Sequence, residues 1–254
     1  MRANYTDHGV DEYYRRVGAT YRNPHYPGIR SCIILWLNKW WEKELVRMES
    51  DKFLVLDLAC GSGEVTAAVL DWWQLGRVAY SDQQSLGPPA RRNGARPPPI
   101  GPDLPKPSIL AADPYTAQAF HTRTGLYAAQ HSFRDIAEGA LTNMIPISPP
   151  VSHDGSSSGH GAPSMETPVV EMVICSFALH LIEKPSELFT LLRELSTKCR
   201  WLVVLAPHKK PDIKDGWGWR KWDTDTWAEC GINDSTGEFL EERVHCRVYR
   251  SVNV

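Results

Sequence analysis

Apolar residues recur along the chain in two styles, short unbroken runs and longer stretches at helical spacing. Residues 26–48 carry Ile29, Cys32, Ile33, Trp36, Leu37 and Trp40 three or four positions apart, which predicts an amphipathic helix. Residues 53–58 are a short apolar run that predicts a strand ending in a glycine loop, and residues 64–73 predict a helix. A second strand follows at 108–112. The helix expected over 114–123 begins with Pro114, which suits a first turn because the missing N–H costs nothing there. Residues 126–131 predict a weak third strand, 169–176 a fully apolar strand, 184–198 an amphipathic helix and 201–206 another apolar strand. Residues 238–251 alternate and predict a closing pair of strands. Apolar strands alternating with helices imply a parallel sheet covered on both faces, hence an α/β fold.

Two stretches break this pattern. Residues 83–107 hold eight of the 19 prolines, and 13 of the 21 residues in 148–168 are Ser, Gly or Pro. Neither has an apolar period, so both are expected to be flexible insertions in a single domain. At 254 residues one large α/β domain is well within range. A net charge of -2 argues against tight nonspecific nucleic-acid binding. No apolar run approaches the roughly 20 residues that span a bilayer, so no membrane association is expected. The first 16 residues carry acids and no apolar core, which predicts a cytoplasmic protein without a secretory signal. The six cysteines are scattered, with no CxxC pair and no zinc-ligand spacing, so free thiols and no metal are expected.

The chemically informative segment runs from Val55 through Asp57, Ala59, Cys60, Gly61, Ser62 and Gly63 to Glu64. A strand delivers the chain to a tight turn. Gly61 and Gly63 lack Cβ atoms, so the backbone can approach a ligand closely. The next helix presents free N–H groups and a positive dipole end. Asp57 adds a carboxylate, which suits a cationic ligand better than a phosphate. There is no Lys-Ser/Thr of a P-loop and no third glycine of GxGxxG, which disfavours a dinucleotide oxidoreductase.

LDLACGSGEVT resembles motif I of the class I S-adenosylmethionine-dependent methyltransferases, with Ala59 where that family often has glycine. The resemblance implies a Rossmann-like, doubly wound, mostly parallel sheet of seven strands, with S-adenosylmethionine as cofactor. It implies a domain over 51–254 preceded by an N-terminal helical lid segment over 1–50. It places Asp57, Ala59, Cys60, Gly61, Ser62 and Gly63 at the cofactor. The family's acid after strand two, which holds ribose hydroxyls, matches Asp113 with Pro114; Asp82 has the more usual spacing, but proline-rich sequence follows it and no helix can start there. The acid after strand three matches Asp135, with Phe133 or Ile136 against the adenine ring. Ser176 and Phe177 follow strand four, as in the ubiquinone and menaquinone biosynthesis group. There His180 is the leading general base, with His208 after strand five a second candidate. Trp217 and Trp219 are expected to wall an acceptor pocket in a loop over the sheet's ligand edge. Tyr5, Tyr13, Tyr14 and Tyr21 are lid candidates, with Tyr14 and Tyr21 toward substrate. DPYTAQAFHTRTG, SFRDIAEG, CSFALHLI and APHKKPDIKDGWGW together resemble a group of fungal methyltransferase-domain proteins.

The expectation is therefore methyl transfer to a small-molecule acceptor by in-line displacement. Two alternatives stay open. One is an RNA or tRNA methyltransferase, since the N-terminal YxxxxxxYxNPHYPxI pattern has a faint likeness to wobble-uridine methyltransferases. The other is a catalytically silent methyltransferase-fold subunit that binds a partner through the aromatic helix at 26–48.

Overall fold

Strand β1 (Leu54–Leu58) is apolar on both sides, apart from one carboxylate near its end, and lies inside the sheet. The computed structural model describes residues 12, 16–44, 52–85, 96–146 and 168–254. The further strands are β2 (Ser108–Ala112), β3 (Val170–Ser176), β4 (Cys199–Ala206), β5 (Trp219–Asp223), β6 (Ala228–Glu229), β7 (Phe239–Glu241) and β8 (Val244–Ser251). They form one eight-stranded sheet in the order β2-β1-β3-β4-β8-β5-β6, with β7 also paired to β8. β1 is parallel to β2 and β3, and β3 is parallel to β4. β8 runs antiparallel to β4, β5 and β7. The fold is thus a doubly wound α/β sheet with an antiparallel far edge. The short β6 and β7 take the strand count one above the expected seven.

The helices are α1 (Tyr26–Glu44), α2 (Glu64–Ser85), α3 (Ala117–Thr124), α4 (Phe133–Ala137), α5 (Leu141–Met144) and α6 (Pro185–Ser196). Alternate residues of each strand face opposite layers. On one side Phe53, Val55, Met172, Ile174, Trp201 and Val203 meet the expected stripe of α1, from Ile29 to Trp40. On the other, Leu54, Leu56, Val173, Leu202 and Val204 meet Leu188, Leu191, Leu192 and Leu195 of α6. Trp36, Trp201, Trp222 and Trp227 form one aromatic cluster, with the Arg250 guanidinium 5.2 Å from the Trp201 ring centre. Of the four Trp between 217 and 227, Trp222 and Trp227 belong to this layer and Trp217 and Trp219 to the opposite one.

Four expectations are corrected. The helix expected to stop at 73 continues to Ser85, and the proline-rich stretch is not all detached from the core. Ile100 and Leu104 are buried, the Ile100 N–H donates to the Gly76 carbonyl, and a Cβ on Gly76 would lie 2.4 Å from Ile100 Cδ1. A glycine inside α2 thus admits the returning chain, a contact that helical periodicity does not register. The weak strand at 126–131 is reduced to a single bridge between Ala129 and Ala112. Residues 217–218 lead into β5, which Trp219 opens, instead of forming a loop over the ligand edge: Trp219 pairs with Ser251, while Arg250 pairs with Trp201 near the start of β4. Antiparallel pairing carries Trp219 to the end of the sheet opposite the carboxyl ends of the parallel strands. Tyr5, Tyr13, Tyr14 and nearly all of the expected insertion at 148–168 lie outside the described residues. Among the described residues no helix is long and apolar enough to cross a membrane.

Candidate functional site

The chain runs from β1 to β2 on one side, then crosses to β3 on the other. The crevice between the carboxyl ends of β1 and β3 is therefore the topological switch point, where open α/β sheets bind ligands. A cavity of about 740 Å³ lies there, large enough for a nucleoside-sized ligand. Its walls come from the turn after β1 (Ala59, Gly61), the end of β2 (Asp113, Pro114), the start of α4 (Phe133) and the turn after β3 (Ser176, Phe177), with Tyr21 from the N-terminal segment.

Local chemistry shapes the turn after β1. Ala59 has φ 55°, Gly61 55° and Gly63 85°, so three of five consecutive residues lie in the left-handed region that favours glycine. Ala59 accepts that strain without a glycine's freedom. A Cβ on Gly61 would stand 3.0 Å from Tyr21 Cε1, so Tyr21 lies directly on the glycine backbone. A Cβ on Gly63 would meet Thr124 Cγ2 at 2.5 Å, which lets α3 close against the start of α2.

Asp57 does not line the cavity. Its Oδ2 accepts hydrogen bonds from Thr66 N at 3.1 Å and Thr66 Oγ1 at 2.7 Å, so the strand's acid caps the helix that the strand feeds. Its Oδ1 is buried and has no hydrogen-bond partner among the described residues. Burial pushes this carboxyl from 3.8 up to about 8, against the Thr66 bonds and helped by the nearby Glu64 and Asp113 charges. A folded-state value above the unfolded one means the native state binds more protons between the two values. The contribution of this group to stability is then full below pH 4 and is lost as pH rises toward 8. Asp57→Asn keeps an oxygen for Thr66 and removes the titration. Urea unfolding at pH 5 and pH 8 should show the wild type losing stability across that interval relative to the variant, which is the more stable at pH 8. Parallel behaviour of the two proteins would show that Asp57 is ionised in the fold.

Asp113 lines the cavity. Its Oδ2 accepts from Gly61 N at 3.2 Å, and its Oδ1 accepts from Tyr115 N at 2.8 Å and Thr116 N at 3.0 Å. One carboxylate thus ties the glycine turn to the start of the segment leading into α3. Asp82, the competing acid, is exposed on α2 far along the helix from Gly63.

The structure brings together Ala59, Gly61, Asp113, Pro114, Phe133, Ser176, Phe177 and Tyr21 on one cavity. It does not bring the others there. Cys60 and Ser62 are buried beneath the turn, and Ser62 Oγ donates to Glu64 Oε1 at 2.6 Å. Gly63 is not among the lining residues. Asp135 completes a capping box with Ser132: its Oδ2 accepts from Ser132 N and Ser132 Oγ, both at 2.7 Å, and those bonds hold its carboxyl below the usual range. His180 sits in the 3₁₀ turn Leu179–Leu181, between lining residues Ala178 and Leu181, but is not itself a lining residue. His208 is exposed beyond β4. Trp219 is buried and donates from Nε1 to the Leu192 carbonyl at 2.8 Å, and Trp217 makes an edge contact with Phe189. Sequence reasoning missed His131, the imidazole that does line the cavity. Its signal was the S-x-x-D capping box, which fixes where α4 begins and leaves residue 131 just outside it.

The N-terminal segment is fastened across this crevice. Glu64 Oε1 accepts from Asn23 N at 3.0 Å and from Arg123 Nη1 at 3.0 Å, and the Arg123 guanidinium stands 4.6 Å from the Tyr26 ring centre. His25 stacks on Phe177 with ring centres 4.8 Å apart. Phe177 itself holds φ 57°.

No protein-family model matches the chain. Among solved structures, its fold is similar to a magnesium protoporphyrin IX methyltransferase from Synechocystis with bound SAM, at 12% identity, TM-score 0.42, and coverage of 100% of this chain and 95% of that one. It is also similar to a TehB-like SAM-dependent methyltransferase from Corynebacterium glutamicum, at 7% identity, TM-score 0.39, and 95% coverage of each chain. The sequence is 40% identical over 260 residues to an uncharacterized protein of Schizosaccharomyces pombe, covering 100% of this chain and 93% of that protein. Identity at that level over the whole length means that the chain belongs to the family of this fission-yeast protein.

Proposed function

We propose that the chain is an S-adenosylmethionine-dependent methyltransferase acting on a small-molecule acceptor. The observation that carries this reading is the convergence, on one switch-point cavity, of the left-handed Ala59–Gly61 turn, the Asp113 carboxylate, Phe133 and the Ser176–Phe177 turn. These residues fit the cofactor: Asp113 offers carboxylate lone pairs to ribose hydroxyls, Phe133 offers a ring face to adenine, and Tyr21, whose ring covers Gly61, is the side chain that must lie against or move aside for a ligand at the turn. When bound, S-adenosylmethionine supplies a methyl group already activated on a sulfonium.

The chain's own tasks are then to bind, orient and exclude water. Tyr21, lying on Gly61, and His25, stacked on Phe177, place the segment before β1 as a cover on the crevice. His131 is the imidazole positioned to take a proton from an acceptor that must lose one. The small-molecule choice is supported by the apolar wall of Leu181, Ile182, Phe133 and Ala137 and by the net charge of -2.

Calorimetry with S-adenosylhomocysteine tests the reading directly. Saturable binding with a Kd in the micromolar range is expected, and no binding at millimolar ligand would remove the proposal. Turnover of S-adenosylmethionine in a cell extract then separates an enzyme from a silent binding subunit.

A further inference from the structure

Among the described residues, two cationic side chains are buried under the antiparallel end of the sheet, and one of them has an anionic partner. Lys221 on β5 pairs with Glu238, both nearly fully buried. Arg247 on β8 is 5% exposed and forms no ion pair among the described residues. Its Nη1 donates to the Pro211 carbonyl at 3.0 Å and to Tyr249 Oη at 3.3 Å. Its Nε and Nη2 are buried and have no hydrogen-bond partner among the described residues. These two nitrogens share one edge of the planar guanidinium, the edge whose parallel N–H groups match two oxygens of a carboxylate or phosphate.

A buried cation left uncompensated is costly, and a protein keeps one where an anion completes it. Basic side chains gather around Arg247, two of them already paired, Lys210 with Asp212 and Lys221 with Glu238. Arg247 pairs across the sheet with Val204, and His245 with Ala206 at the carboxyl end of β4. His208, Lys209 and Lys210 follow directly. His245 titrates below the ordinary histidine range, through burial first, with Lys209, Arg247 and His208 adding to the effect and Glu238 opposing it. The neighbouring Ile213 packs in the same apolar cluster as Ala178 and Ile182 of the cavity wall.

We propose that the Nε–Nη2 edge of Arg247 is a binding site for an oxyanion, a phosphate or carboxylate group, beneath the loop formed by residues 207–213. The site stands independently of the methyl-transfer reading. Its source is either a free anion or the anionic group of a ligand that reaches across from the cavity.

Inorganic phosphate titrated into the full chain, with chloride adjusted to constant ionic strength, is the test. A saturable rise in Tm is expected, on the order of 5 °C at phosphate a hundredfold above its Kd. Arg247→Met should abolish that rise and melt at or above wild type in chloride, because it removes an uncompensated charge. Arg247→Lys keeps the charge but not the fork and should bind phosphate at least ~10-fold more weakly. Should Arg247→Met fail to fold, the lysine variant carries the assignment. Repeating the titration with saturating S-adenosylhomocysteine separates the sources: a changed phosphate affinity marks a group shared with a cavity ligand, an unchanged one marks a free anion, and both uphold the site. No saturable response in wild type, or wild-type phosphate affinity in both variants, overturns the proposal.

Discussion

Gly61→Val is expected to reduce affinity for S-adenosylhomocysteine by at least ~100-fold, a loss of about 2.7 kcal/mol. Two effects combine. A β-branched residue is strongly disfavoured at φ 55°, where glycine carries no steric penalty. The added Cβ also stands 3.0 Å from the Tyr21 ring, so the methyl groups beyond it displace either Tyr21 or the ligand from the cavity floor. Gly61→Ala adds the first atom alone and should lose roughly tenfold, since alanine tolerates the left-handed region better, as Ala59 in the same turn does. Calorimetry on both variants, with thermal melts to confirm folding, checks the order. Wild-type affinity in the valine variant would show that the turn is only a connection between strand and helix.

Glu64→Ala is expected to lower stability by about 3 kcal/mol, roughly 10 °C in Tm. The carboxylate is 5% exposed, and removing it leaves the Arg123 guanidinium without its ion pair and the Asn23 N–H and Ser62 hydroxyl without their acceptor. Glu64→Gln keeps an oxygen for these donors and loses the charge, so its cost should be about half. The local signature is faster hydrogen exchange at the Asn23 amide, because the segment before α1 is released from the start of α2. A variant that melts with the wild type would show that the pair contributes nothing beyond its desolvation cost.

The sheet was legible because its central strands are buried on both faces and so carry unbroken apolar runs, as at 170–176 and 199–206. α1 was legible by its stripe. β5 was not: WRKWD alternates, with buried Trp219, Lys221 and Asp223, but Lys221 reads as an exposed position until Glu238 is seen beside it. Its location depends on β8, some 25 residues onward, and no local period encodes that. The same long-range pairing carries Trp219, and Trp217 just before it, to the end of the sheet away from the cavity. In the site, Asp113 could be chosen over Asp82 because a helix must follow the acid. Asp57 and Asp135 sit where their motifs put them, yet both carboxylates serve as helix caps. Motif spacing locates a side chain along the chain; which way it turns is decided by the nearest unsatisfied N–H.

The place of β8 has a consequence for biosynthesis. Residues 244–251 fill an interior position between β4 and β5, so the paired β5 and β6 cannot join the rest of the sheet until β8 has left the ribosomal tunnel. The parallel half of the sheet can assemble early, exposing the apolar edge of β4 in the meantime. A nascent chain is therefore most vulnerable to off-pathway association in the interval between the emergence of β4 and that of β8, and chaperone protection would matter most there.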